Sequence, residues 1–144
     1  MKRFFYFIIF LLPTITVMAE DKIVVKVTSV DVNRGGNLII LVFGNNGFPI
    51  QHKEALVTQT INASNEIMAV TFSIPQKKEL AFKVLHDEDL NNRVTKDWTG
   101  IWPHEGLGFS NGKSMGMFGP PSFMQAKISR ESALTGVDLN IVYP

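Results

Sequence analysis

The sequence contains no cysteine, which excludes disulfides, thiol nucleophiles and thiolate metal centres together and leaves stability to packing alone. It has no excess of either charge, with 14 basic against 13 acidic residues. So neutral a chain offers a phosphate backbone no electrostatic footprint, and nucleic acid is not an expected partner. It also lacks an apolar run long enough to cross a bilayer: the stretch Phe4 to Leu12 falls well short of the ~20 residues a membrane helix needs. Beyond that stretch no window of helical length carries apolar residues at the 3.6 period.

What stands at the start is a basic pair, Lys2 and Arg3, then that short apolar run, then Val17-Met18-Ala19 with small residues at the −3 and −1 positions of a cleavage site. Residues 1–19 are expected to be a signal peptide. The product, residues 20–144, is then periplasmic or secreted, with no membrane span after processing. Loss of Lys2 and Arg3 leaves 12 basic against 13 acidic residues. The remaining length suits one domain.

Period-two patterning dominates the rest. Lys22 to Val30 places Ile23, Val25 and Val27 on one face. Leu38 to Phe43 is an unbroken apolar run, which predicts a central strand covered on both faces, because a strand with one wet face alternates. Asn33-Arg34-Gly35-Gly36-Asn37 between them predicts a hairpin. Ala55 to Ile61, Ile67 to Ile74 and Leu80 to Asp87 continue the pattern; Met124 to Ile128 and Val137 to Tyr143 close it. Pro49 to Lys53 has room for a helical turn. About seven short strands predict an all-β sandwich or small barrel, with one long ordered loop from Glu88 to Pro121 expected to lie across one end. A loop of that length in a compact domain is characteristically functional or disordered, and its tryptophans favour order.

Within the loop, Asp87, Asp89 and Asn91 alternate as do side-chain oxygens around a hard cation such as Ca²⁺, with Thr95 and Asp97 as approximate later ligands. A complete calcium loop would have glycine where Asn92 stands. The competing reading is a solvated turn in which Asp and Asn bond their own backbone. His86 and His104, with Met115 or Met117, have the chemistry of a copper site but not the close histidine spacing of one. Gly108-Phe109-Ser110-Asn111-Gly112 matches the nucleophile-elbow pattern, yet no helix follows to complete the elbow. Trp98, Trp102, His104 and Phe109 are candidate ligand-binding residues for a sugar or peptide, and the alternative is that the aromatics fold back and cap the sandwich. Asn62-Ala63-Ser64 fits a glycosylation acceptor.

Three segments of the loop, His86-Asp87-Glu88-Asp89-Leu90-Asn91-Asn92, Glu105-Gly106-Leu107-Gly108-Phe109-Ser110-Asn111 and Phe118-Gly119-Pro120-Pro121-Ser122-Phe123, follow Leu41-Val42-Phe43 and Gly47-Phe48-Pro49 in order and spacing. In this the chain resembles the domain of unknown function 2141, a family of small exported bacterial proteins. The resemblance implies a signal peptide followed by an immunoglobulin-like or transthyretin-like β-sandwich of about seven strands, and it implies no activity. Asn92-Arg93 departs from the family pattern, in which the turn contains glycine; asparagine is the next best residue for a left-handed conformation. The function expected is an exported, non-enzymatic binding or accessory module, serving an unknown protein or glycan partner in the cell envelope. The alternatives are a structural sandwich acting through an exposed sheet edge and, third, a periplasmic hydrolase.

Overall fold

A computed structural model describes residues 21–144; the signal peptide expected over 1–19 and its cleavage site lie outside the described residues. Eight strands form two sheets. In the smaller sheet, β1 (Asp21–Thr28) is the middle strand, antiparallel to β4 (Met68–Ile74) and parallel to β8 (Val137–Asn140). In the larger, the order is β3 (Val57–Asn62), β2 (Asn37–Phe43), β5 (Glu79–Asp87) and β6 (Leu107–Phe109), and the short β7 (Ile128–Ser129) pairs with the start of β5. Two short helices, α1 (Phe123–Ala126) and α2 (Arg130–Leu134), sit in the last connections.

The alternation in β1 does what the pattern requires: Ile23, Val25 and Val27 are buried, and Lys22, Val24 and Lys26 are exposed. They meet Leu38, Ile40 and Val42 of β2 and Leu80, Phe82 and Val84 of β5 in one apolar core between the sheets. Side chains with this degree of burial each contribute about 1.5–3 kcal/mol. His86, from the same inward series, is fully buried, and its ring nitrogens engage the Gly35 carbonyl and the Tyr143 hydroxyl.

Three sequence expectations need correction. The strands β1 and β2 are not a hairpin; they lie in different sheets, and the Val32–Arg34 turn carries the chain from one to the other. A strand with one wet face belongs in the thinly covered small sheet, whereas β2, apolar on both faces, takes the centre of the larger one. Met124 to Ile128 is not a continuous strand: its first half is α1, started by Ser122 with the Gln125 side chain reaching back to the Ser122 N–H at 2.8 Å, a capping arrangement that the S-x-x-Q spacing encodes. The long loop does not lie across one end. It covers the outer face of the larger sheet and contributes β6 to it. The helical turn allowed near residue 50 is a single 3₁₀ turn, His52–Glu54.

Candidate functional site

Because β2 is apolar on both sides, Ile39, Leu41 and Phe43 require cover on the outer face. They receive it from Phe48 and Ala55 of the β2 to β3 connection and from Val94 and Met115 of the long loop, packed with Leu85, Leu107 and Phe109. Phe48 meets Phe43 and Phe109 edge-on, with ring centroids 5.5 and 6.1 Å apart. The cover is incomplete. Beneath it remains a cavity of about 390 Å³, within the ~300–1,000 Å³ common for small-molecule sites.

Its apolar wall includes Val94, Ile101, Leu107, Phe109, Met115 and Pro120. Its charged or titratable wall residues are His52, Lys83, Arg93 and Lys96, with no carboxylate among them. Lys83 is the unusual one. Register places it on β5 between Leu41 and Phe109, and it is 3 % exposed. Its amine donates to the Pro49 carbonyl at 2.9 Å and lies 2.8 Å from His52 Nε2. Burial pushes the Lys83 pKa down to about 7. Burial, and then the Lys83 charge, hold His52 at about 4, so the imidazole is neutral at pH 7 and accepts from the amine.

The wall segment Asn92 to Lys96 hangs from carboxylates. Asp87 accepts from the Asn91 and Asn92 N–H groups at 3.1 and 2.9 Å; Asp89 accepts from the Thr95 hydroxyl at 2.7 Å. Glu105 bridges the Glu88 and Thr95 N–H groups at 3.0 and 2.8 Å. Asp87, Asp89 and Glu105 each bring an oxygen to within 4.8 Å of the others. Two oxygens bound to one Ca²⁺ at ~2.3–2.6 Å each lie at most ~5 Å apart, so the group is compact enough to hold a metal ion. Burial and, secondarily, the neighbouring Asp89 and Asp87 charges raise the Glu105 pKa, against the N–H bonds that lower it. The Thr95 hydroxyl is the main cause holding Asp89 below its usual value.

Of the residues singled out in the sequence, the structure brings Asp87 and Asp89 together and adds Glu105. Asn91 turns its amide to Asp89 and Thr95, and its side-chain oxygen accepts from Arg93 N–H. Asp97 sits apart in the tip of a small hairpin bridged at Lys96 and Pro103, bonded to Thr99 at 2.6 Å. Asn92 has φ 60°, the left-handed value the turn needs in place of glycine. Trp98, on the same tip, is 96 % exposed and Trp102 is exposed as well, so the tryptophans do not cap the sandwich; Phe48, Val94 and Met115 do that. Phe109 is buried in the cavity wall, while His104 is exposed. Met117 is exposed and His86 has both ring nitrogens engaged. Ser110 is buried, donating to the Ala126 carbonyl at 2.6 Å and accepting from Phe82 N–H at 2.9 Å, and Asn111-Gly112 form a tight turn with positive φ at both positions.

Sequence reasoning missed Lys83, His52 and Glu105. A lysine on the outward side of an alternating strand ordinarily points to water. The available signal was indirect: if β2 is covered on both faces, so is its neighbour's outward face.

The family described as "Uncharacterized protein conserved in bacteria (DUF2141)" matches residues 25–137. No curated protein and no solved structure matches.

Proposed function

The chain belongs to the DUF2141 family of uncharacterised bacterial proteins, and because that membership brings no activity with it, we propose from the site itself that it is an exported, non-enzymatic binding module. The ligand region is the cavity between the long loop and the larger sheet, and Ca²⁺ held by Asp87, Asp89 and Glu105 fixes its wall. The observation that carries this reading is that Asn92 to Thr95, one side of an apolar cavity, is suspended from those three carboxylates. A binding role is favoured over hydrolysis because the Ser110 hydroxyl is buried and spent on backbone partners. Like-charged carboxylates this close repel, two of them away from water, and a divalent cation relieves that repulsion where four backbone N–H groups only offset it.

Thermal melting across a Ca²⁺ titration tests this. At 100 times Kd the native state gains ~2.7 kcal/mol, so the midpoint should rise. Asp89→Asn and Glu105→Gln should abolish the rise. A wild-type midpoint indifferent to Ca²⁺ retires the cation.

A further inference from the structure

We propose that the cavity beneath the long loop takes a small amphiphile with a single anionic head and an apolar tail, the head meeting Lys83. The proposal rests on the reading of the chain as a binding module and names what that module takes. Three observations carry it.

The first is charge. Lys83, Arg93 and Lys96 lie in the wall without one acidic neighbour there, although the chain has nearly as many acidic as basic residues. The second is the state of Lys83. An ammonium has three donors, and the Pro49 carbonyl and His52 Nε2 occupy two; among the described residues nothing accepts from a third. A buried cation with no counter-ion is costly, and a methionine of similar volume would pack there without that cost. An anionic oxygen in the cavity supplies both the missing acceptor and the missing charge. The third is the mixture in the wall: Lys83 shares it with buried Leu107 and Phe109 and half-buried Met115, while Ile50 and Ile101 are 73 % and 65 % exposed and Arg93 and Lys96 are exposed as well. A buried amine set in a wall that is otherwise largely apolar matches a ligand with one anionic group on an apolar body.

Proton linkage follows from the geometry. An anion beside Lys83 raises its lowered pKa toward the ordinary value, so binding above pH 7 takes up a proton. Of the other groups in the same wall, His52 is neutral throughout that window, and the remaining two are the side chains of Arg93 and Lys96.

Calorimetric titration of the purified protein with decanoate, decanol and decyltrimethylammonium, each below its micellar concentration, is the test. Decanoate should bind with saturation and at least about ten-fold more tightly than decanol, a difference of about 1.4 kcal/mol. The quaternary amine should not bind. Lys83→Met should bring decanoate down to the level of decanol, and decanoate binding at pH 8 should show proton uptake when two buffers of different ionisation enthalpy are compared. Equal affinity for decanoate and decanol in the wild type overturns the anionic head while leaving a binding module in place. Absence of decanoate binding, or decanoate binding unaltered in a folded Lys83→Met variant, overturns the proposal; the wild-type comparison stands even if that variant does not fold.

Discussion

Lys83 runs its stem between Leu41 and Phe109 and leaves its amine against Pro49 and His52. Its pKa is lowered to about 7 in the folded protein, against 10.5 for the free side chain. Between those values the unfolded chain holds a proton that the folded one has released, so stability rises with pH across this window and is least below pH 7. The full effect is on the order of 5 kcal/mol. Urea melts from pH 6 to 10 should show the rise in the wild type, and Lys83→Met should flatten it while gaining at least ~1 kcal/mol at pH 6. A flat wild-type profile would mean that the amine is hydrated. His52 acts in a separate, acidic window: its pKa of about 4 makes it a cost only as the pH falls below 6.5. Neither residue was legible as a site member, because alternation and charge say "solvent" for a lysine on the outward side. Asp87 and Asp89 were legible, since a local spacing encodes a local turn. Glu105 was not, because its partners Glu88 and Thr95 are reached only by folding the loop back.

At the level of elements, β2 explains most of the architecture. One face, Leu38, Ile40 and Val42, closes the interior; the other, Ile39, Leu41 and Phe43, forms a second core under the connections. Leu41→Ala should therefore cost about as much as Ile40→Ala, some 2–5 kcal/mol by chemical denaturation. A loss below about 1 kcal/mol at Leu41 would place that face against solvent. The apolar run disclosed this double burial directly. The partner of each strand was less legible: the glycine-rich stretch before β2 suits a hairpin as well as the crossing between sheets that it makes, and only the whole set of faces decides between them. The strand β6 was hidden inside the glycine-rich loop because Gly106 and Gly108 weaken the β pattern. The glycine at 108 is required by tertiary contact, since a Cβ there would meet the Asn140 carbonyl and the Val84 side chain.

At the scale of the molecule, a sandwich closed on one side by its own second sheet carries on the other side a loop that is neither a third layer nor a free arm. The loop is tied at its base by carboxylates and along its length by Val94, Met115 and β6, and the cavity is the gap between those ties. Among the described residues no helix is long and apolar enough to cross a membrane. The fold class was legible because period-two patterning is a property of whole strands; the cavity was not, because it exists only where two connections far apart in sequence meet over one sheet. The most direct measurement is residue-resolved hydrogen exchange over residues 88–121. The Asn91, Asn92 and Thr95 amides, together with Leu107 and Ser110, should exchange at rates comparable with β2 and β5, while the Trp98 to Ile101 tip exchanges freely. Rapid exchange throughout the loop, with β2 and β5 still protected, would contradict the ordered cover on which the proposed binding site depends.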